Sequence, residues 1–271
     1  MLTVSCIKSF KPSFGIFFNN VNDDDGKLCY RGDTRICRDD LYFPEVIDFL
    51  DNKYKHAQKV NVIIHACSDG EEVYSFLGVL ISRLQKQAAK FLPVCAKDID
   101  QNHLKLAKRG VYNISKSEYF IANNYMNGNF YDFFEIMPPR GSFDARLKYT
   151  NTIKVEHSLK SLVNFSQGNI LEDAKKIDFK NTVLFARNFW PYLNIYEREK
   201  LVQNLAQRMD SSSTLIIGDY DKEDAHVDLL LQKYGFRESV DNVFERPANN
   251  DKTISPKNCF SGYYQPNFNK K

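Results

Sequence analysis

Apolar and polar positions follow a repeating strand and helix pattern through the first half of the chain. Residues 61–67 (NVIIHAC) are a β-branched apolar run, which predicts a strand buried on both faces. Residues 71–84 then carry apolar side chains at helical spacing. Residues 93–99 and 102–112 repeat the strand and helix pair, and Gly110 marks the end of the second helix.

The same pattern returns in the second half. Residues 182–188 and 213–220 predict strands, and residues 196–209 and 226–236 predict amphipathic helices. Residues 237–247 predict a final strand pair or hairpin. Alternation at this interval indicates βαβ units, and therefore an α/β, Rossmann-like fold with a mostly parallel sheet covered by helices on both faces.

Three segments depart from this pattern. Residues 112–162 are rich in Asn, Tyr, Phe and Pro and include an alternating stretch, so we predict a small antiparallel β-subdomain inserted into the main domain of residues 59–248. Residues 1–58 form an N-terminal region with one helix that is predicted to begin near Asp39 or Asp40. The polar, turn-rich residues 249–271 predict an irregular C-terminal tail.

Composition narrows the class of protein. Hydrophobic residues make up 43% of the chain and charged residues 26%, values typical of a folded globular protein. A net charge of +3 is too small to indicate nucleic acid as a partner. The apolar runs are of strand length and the N-terminus lacks an apolar signal region, so we expect a cytoplasmic protein without membrane insertion. The scattered histidines and cysteines lack ligand spacing, and we expect no metal.

The first candidate site is the turn HACSDGEE at residues 65–72, where the first strand enters a helix. Open α/β sheets bind ligands at the carboxyl ends of their strands. The turn matches neither the dinucleotide pattern nor a phosphate-binding loop. Glu71 and Glu72 repel a pyrophosphate and suit a ligand with an ammonium group. The alternative is an ordinary strand-to-helix turn of the kind that the fold requires.

Polar residues follow the next two strands. Asp98 can accept hydrogen bonds from both ribose hydroxyls of an adenosine, and Asp100 is favoured as the N-cap of the following helix, although either residue could cap it. Asn169, with Ile170 beside it, can bind an adenine edge, but Asn is also a common turn residue.

The fourth candidate site is the segment after the strand at residues 182–186. There, Arg187 and Tyr192 could bind a substrate carboxylate, Arg187 through its planar fork of donors. The alternative is a solvated Arg187 beside an aromatic plug that includes Trp190.

The order and spacing of these blocks resemble a known family. ACSDGEE-x-YS is followed by DID-x-x-x-L-x-x-A-x-x-G-x-Y, by F-x-x-x-N-I-L and by RN-x-x-x-Y. This is similar to the CheR-type chemotaxis-receptor glutamate methyltransferases, which typically show ACSTGEEPYS, SDID with LxxAxxGxY, NLL and CRNVxIYF. The resemblance covers about residues 33–246. It implies a class I methyltransferase fold and transfer of a methyl group from S-adenosylmethionine to a protein glutamate, with S-adenosylhomocysteine as product.

The resemblance also implies roles for individual residues and for the insertion. Arg38, Arg187 and Tyr192 are expected to face the reacting groups. The cofactor pocket is expected to be lined by Thr34, Arg38, Ala66, Glu72, Asp98, Asn169, Ile170, Arg187 and Asn188. The insertion matches the β-subdomain that docks a receptor tail in some members, so the expected partner is a protein substrate such as the cytoplasmic region of a chemoreceptor.

Several positions depart from the family pattern. Residues 32–38 keep Thr34 and Arg38 of the N-x-T-x-F-F-R segment but lose its Asn and both Phe residues. Asp69 replaces Thr, Trp190 and Pro191 alter the substrate loop, and Gly218-Asp219-Tyr220 stands where the family often has GHSE. The N-terminal helical region is about half its usual length.

These departures leave two alternatives to glutamate methylation. One is a methyltransferase of the same fold that acts on a different substrate. The other is an S-adenosylmethionine-binding sensor or interaction protein that has lost catalysis. The retained Arg38, Arg187 and Tyr192 favour catalysis, because a pure binder has less need of them.

Overall fold

A computed structural model of the chain describes residues 34–38, 40–137 and 150–248. Residues 1–33 of the N-terminal region and the tail predicted at residues 249–271 lie outside this description. The strands, in chain order, are β1 (Asn61–His65), β2 (Val94–Asp98), β3 (Val111–Ser115), β4 (Phe134–Ile136), β5 (Thr150–Val155), β6 (Val163–Gln167), β7 (Thr182–Ala186), β8 (Thr214–Ile216), β9 (Arg237–Val240) and β10 (Val243–Glu245).

The main sheet has seven strands in the order β6-β2-β1-β7-β8-β10-β9. The pairs β6·β2, β2·β1, β1·β7 and β7·β8 are parallel, whereas β10 runs antiparallel to both of its neighbours. The chain builds outward from β1 first on one side and then on the other, so the strand order reverses between β1 and β7. A crevice opens at such a reversal, at the carboxyl ends of the strands. The predicted α/β sheet is confirmed.

Helices cover both faces of this sheet. They are α1 (Phe43–Lys53), α2 (Glu71–Leu84), α3 (Gln101–Arg109), α4 (Lys116–Tyr125), α5 (Phe130–Phe133), α6 (His157–Lys160), α7 (Ile170–Asp173), α8 (Ile195–Arg208), α9 (Asp219–Glu223) and α10 (Val227–Lys233). Helix α2 buries the eight consecutive residues from Val73 to Leu80, so this part of the helix is enclosed on all sides. The apolar faces of α8 and α10 form a second core cluster on the opposite side of the sheet.

Helix α1 begins later than the sequence predicts. It was expected near Asp39 or Asp40, but it begins at Phe43, with Pro44 in its first turn and with no side chain capping its N-terminus. The carboxylate of Asp40 binds Arg187 and Asn188 instead of the helix. The side chain of Asp40 therefore makes tertiary contacts and takes no part in the helix start.

The predicted antiparallel insertion is confirmed as a separate three-stranded sheet of order β3-β5-β4. It also contains α4, which the sequence pattern missed although Ser115 and Glu118 form a capping box at its start. Its apolar residues join the same core cluster as α1 and α2. At Gly78 of α2, an added Cβ would lie 2.6 Å from Cε of Met126, which follows α4. The insertion is therefore packed into the main domain rather than attached to its surface.

Within the described ranges, no helix combines the length and the apolar character needed to cross a membrane. The same part of the chain holds no group of three or more His, Cys, Asp or Glu side chains arranged to bind a metal ion. Cys37 and Cys67 are buried thiols, whereas Cys95 is exposed, because side chains alternate across β2.

Candidate functional site

The turn after β1 has the tight geometry that the small residues of the sequence suggested. Ala66, Ser68 and Gly70 have φ angles of 54°, 48° and 93°, so the backbone passes through the left-handed region three times in five residues. A Cβ added at Gly70 would lie 2.8 Å from Cβ of Ala107 on α3, so this position needs glycine. The turn thus places residues 66–70 at the carboxyl end of β1, beside β2 and β7.

Asp98 ends β2 and its carboxylate braces this turn. Its Oδ2 accepts a hydrogen bond from the Ser68 backbone N–H at 2.7 Å, and its Oδ1 accepts one from the Asp100 N–H at 2.9 Å. Asp100 in turn caps α3 by accepting from the Asn102 N–H at 2.7 Å, which confirms its predicted role. A carboxylate has about four acceptor sites, so Asp98 keeps capacity for ligand hydroxyl groups. Its role toward a ribose stays a prediction.

Arg187, the first residue after β7, lies at the centre of a buried polar network. Its Nη1 donates to Glu72 Oε2 at 2.5 Å and its Nη2 to Asp40 Oδ1 at 2.7 Å. The second oxygen of Asp40 accepts from the Asn188 side-chain amide at 2.9 Å. The Asn188 backbone N–H donates to Asp221 Oδ2 at 2.7 Å. The network therefore joins α2, the segment before α1, the β7 loop and α9.

Burial and neighbouring charges shift the pKa values of the ionisable groups in this network. Burial lowers the pKa of Arg187, but the charges of Glu72 and Asp40 outweigh it and hold that pKa above its ordinary value. Burial raises the pKa of Glu72, and the charge of Arg187 offsets the rise only in part. Burial also raises the pKa of Asp221 to about 7, against three backbone N–H groups and the charge of Arg187. Glu72 and Asp40 thus bind the enclosed guanidinium of Arg187 directly, and the charge of Asp221 also acts on it.

The two arginines that the sequence placed near the reacting groups differ in accessibility. Arg187 is 3% exposed, which excludes the alternative of a solvated side chain. The side chain of Arg38 is 22% exposed, and its Nε lies 3.5 Å from Asp40 Oδ2. Its guanidinium also lies 4.9 Å from the centre of the Tyr220 ring. Arg38 therefore lies at the outer side of the network, on the same segment as the half-buried Thr34.

The remaining predicted residues lie at two further strand ends. Asn169 caps α7 by accepting from the Leu171 N–H at 2.9 Å, and Ile170 is 7% exposed in the second core cluster. Gly168 donates to the Asp98 carbonyl at 2.9 Å, which brings this segment beside β2. Tyr192 ends the 3-10 turn Trp190–Tyr192 and is half-buried.

Buried acceptor atoms near the carboxyl ends of the strands fit S-adenosylmethionine. Ser68 Oγ, Glu71 Oε2 and Asn188 Oδ1 are buried oxygens that accept no hydrogen bond from any of the described residues. Burial raises the pKa of Glu71 to about 8. Buried acceptors without partners are rare in folded proteins and suit a ligand that donates hydrogen bonds. The ammonium and ribose hydroxyl groups of this cofactor are such donors.

Two acidic residues of the network were missed at the sequence level. Asp40 lies 147 positions before its partner Arg187, and Asp221 lies 33 positions after Asn188. Asp40 was interpreted as part of a helix start, since acidic residues favour that position. The one available signal was its spacing of two residues from Arg38, and spacing alone does not indicate a tertiary contact.

Comparison with known proteins shows the family of the chain. Residues 32–138 and 140–236 match the family described as CheR methyltransferase, SAM binding domain. The chain therefore belongs to the CheR methyltransferase family and carries its S-adenosylmethionine-binding domain, which confirms the predicted family and cofactor.

The chain is similar to chemotaxis protein methyltransferase 2 of Pseudomonas aeruginosa, with 25% identity over 207 residues that cover 74% of this chain and 67% of that protein. It is similar to the protein of the same name from Vibrio cholerae, with 22% identity over 199 residues that cover 72% of this chain and 63% of that protein. The matched region thus spans about two thirds of the length of these curated relatives.

Solved structures with a similar fold include a TehB-like SAM-dependent methyltransferase from Corynebacterium glutamicum, at 11% identity and a TM-score of 0.37, covering 73% of this chain and 74% of that one. They also include the glycopeptide N-methyltransferase MtfA complexed with S-adenosyl-L-homocysteine, at 11% identity and a TM-score of 0.36, covering 69% of this chain and 55% of that one.

Proposed function

We propose that the protein transfers the methyl group of S-adenosylmethionine to a side-chain carboxylate of a protein, and that this protein is the cytoplasmic region of a chemoreceptor. The observation that carries the proposal is the arrangement of Arg38 and the network around Arg187. A partly exposed guanidinium lies at the outer side of a buried polar cluster, which follows the carboxyl end of β7 in a CheR-family domain. The names of the two curated relatives support the chemoreceptor as acceptor.

Residues of the chain hold the cofactor at three strand ends. Asp98 is the proposed partner of the ribose, Asn169 and Ile170 of the adenine, and Glu72 with Asn188 of the amino-acid end. Thr34 and Ala66 complete the pocket by resemblance to the family. The bound cofactor supplies a methyl group activated by its positively charged sulfur.

A carboxylate acceptor suits this site because it is ionised at neutral pH and needs no general base. Its oxygen takes the methyl group directly, which gives a methyl ester and S-adenosylhomocysteine. The work of the protein is then to hold the two reactants in line, an effect worth up to about 7–11 kcal/mol in well-oriented systems. We assign Arg38 to orienting the carboxylate, Tyr192 to fixing the angle of approach, and Arg187 to holding the loop that carries Tyr192.

The test is transfer of a labelled methyl group to washed membranes from a chemotactic bacterium, which contain receptors. Methyl esters release labelled methanol in base, whereas methyl groups on nitrogen or sulfur stay attached, so this readout identifies a carboxylate acceptor. Calorimetry with S-adenosylhomocysteine measures cofactor binding separately.

Three outcomes are distinguishable. Base-released methanol supports the proposal. Label that resists base identifies a methyltransferase with another acceptor. Tight cofactor binding without any transfer identifies the sensor or interaction protein that was the second alternative.

A further inference from the structure

Tyr220 is an exposed aromatic residue in contact with the arginine at the outer side of the site. It is the second residue of α9, and 46% of its surface is exposed. The guanidinium carbon of Arg38 lies 4.9 Å from the centre of its ring. A guanidinium over an aromatic face is attracted to it, and at this distance the plane of the ring limits the directions in which the guanidinium can point.

The contact matters because Arg38 is the more accessible of the two arginines. Arg187 is 3% exposed and both of its terminal nitrogens bind carboxylates of the chain. Arg38 is 22% exposed and is held on one side by Asp40, 3.5 Å from its Nε. The ring of Tyr220 supplies a second constraint. Together they restrict the guanidinium without burying it.

Burial does not account for the aromatic residue at position 220. Because 46% of Tyr220 is exposed, its ring contributes little to the core, and its contact with Arg38 is the interaction that its aromatic face makes.

We propose that Tyr220 is a positioning residue that sets the direction of the Arg38 guanidinium and thereby selects acceptor carboxylates that approach alongside an aromatic surface. This inference rests on the proposed function, in which Arg38 orients the acceptor. The acceptor class that it implies is a carboxylate next to an apolar or aromatic side chain on the same protein segment, because that neighbour can lie against the exposed part of the ring.

The test compares three variants in the transfer assay with receptor-containing membranes. Tyr220→Phe keeps the ring, Tyr220→Ser removes it, and Tyr196→Ser removes an equally polar aromatic residue that is 81% exposed at the start of α8. We expect Tyr220→Ser to lower kcat/KM about five-fold, the effect of one exposed cation–π contact, and Tyr220→Phe to restore it. Tyr196→Ser is expected to match the wild type.

Two further readouts separate positioning from a loss of structure. The affinity for S-adenosylhomocysteine is expected to stay within two-fold of the wild type in all three variants. Modification of Arg38 by phenylglyoxal, followed by mass spectrometry, needs no acceptor. It is expected to accelerate about three-fold in Tyr220→Ser and to stay unchanged in Tyr220→Phe, because the ring shields the guanidinium.

Each negative result has its own meaning. Equal modification rates for the wild type and Tyr220→Ser overturn the contact. Normal transfer by Tyr220→Ser, with the wild type active, overturns the positioning role and leaves the proposed function intact. If Tyr196→Ser lowers kcat/KM as much as Tyr220→Ser does, transfer depends on exposed aromatic residues in general rather than on the Arg38 contact. That result also overturns the inference. Absence of transfer by the wild type overturns the proposed function and this inference with it.

Discussion

The buried side chain of Arg187 binds two carboxylates, Asp40 and the more exposed Glu72. Glu72 and Asp40 lie 2.5 and 2.7 Å from its terminal nitrogens, and the side chain of Asp40 is 5% exposed. Removing one partner of a buried ion pair leaves the other charge uncompensated, which typically costs about 3–5 kcal/mol. We therefore expect Arg187→Ala to lower the free energy of unfolding by about 3–5 kcal/mol, as measured by urea denaturation.

A second substitution in the same network tests this explanation. Adding Asp40→Ala to Arg187→Ala removes one of the stranded carboxylates and is expected to recover part of the lost stability. Arg38→Ala is the matched control, because its pair with Asp40 is partly exposed and such pairs contribute about 0–1 kcal/mol. Equal losses for Arg38→Ala and Arg187→Ala would contradict the importance of burial.

Asp98 and Asp100 offer a second comparison between neighbours of the same chemistry. We expect Asp98→Ala to weaken binding of S-adenosylhomocysteine by about 1–3 kcal/mol, because charge-assisted hydrogen bonds to the ribose are lost. Asp100→Ala is expected to leave that affinity unchanged and to lower stability by about 1 kcal/mol, since its side chain caps α3. Calorimetry and thermal unfolding measure the two effects, and unchanged affinity in Asp98→Ala would remove the assignment.

At the scale of the helix, the first residue of α2 is Glu71, a carboxyl group whose burial favours its neutral form. Burial raises the pKa of Glu71 from 4.5 to about 8. The folded state holds this proton more tightly than the unfolded state, so the contribution of Glu71 to stability is full below pH 4.5 and is lost as pH rises through 8. Glu71→Gln is expected to be insensitive to this change and to gain about 1–3 kcal/mol relative to the wild type between pH 5 and pH 9.

The measurement is the free energy of unfolding of both proteins across that pH range. The difference between them isolates Glu71 from other groups such as Asp221, whose raised pKa acts in the same direction. Glu45→Gln, an exposed substitution in the first turn of α1, is the control for the loss of one charge. Parallel profiles for the wild type and Glu71→Gln would show that Glu71 is ionised in the folded protein throughout.

The sequence predicted helices and strands well where the local pattern of apolar residues determines them. Helix α2 was recognisable from apolar positions at helical spacing, and strand β7 from a short continuous apolar run. Helix α4 was missed because its aromatic and Asn-rich sequence has weak helix propensity, and packing against α2 stabilises it instead. The start of α1 was misplaced because Asp40 has a distant partner.

The candidate site was predictable to a similar degree. The positions of Asp98 and Arg187 follow from strand ends, and strand ends are local features of the sequence. The depth at which Arg187 is buried was not predictable, since it depends on Asp40 and Glu72 arriving from two other segments. The charges around Arg187 come from separate segments of the chain, so no single sequence motif predicts how they balance.

At the scale of the whole molecule, we expect the β-subdomain to recognise the protein substrate, as its resemblance to the docking subdomain of the family implies. Its Phe120 and Tyr131 are 57% and 56% exposed. Deletion of the subdomain is a poor test, because Met126 and other residues of the insertion belong to the main core. Phe120→Ser is expected to leave stability within about 0.5 kcal/mol and cofactor affinity unchanged.

The same Phe120→Ser variant is expected to raise KM for receptor-containing membranes about three-fold to ten-fold, as expected for an aromatic interface residue worth about 1 kcal/mol. Leu229→Ser is the matched control, since Leu229 is 54% exposed on α10 and belongs to another part of the molecule. Similar KM values for the wild type and Phe120→Ser, or an equal rise in Leu229→Ser, would speak against recognition through the subdomain.

The strand order has a consequence for the folding of the protein while it is synthesised on the ribosome. Strand β1 pairs with β7, whose first residue, Thr182, is made roughly 120 residues after the end of β1. At about 5–20 residues per second, this edge of β1 waits roughly 6 to 24 s for its neighbour. During that interval the nascent chain presents an apolar strand edge and has no Arg187 to neutralise Glu72. The crevice therefore comes into being late in translation, and a chain stopped before Thr182 exposes a surface that invites aggregation.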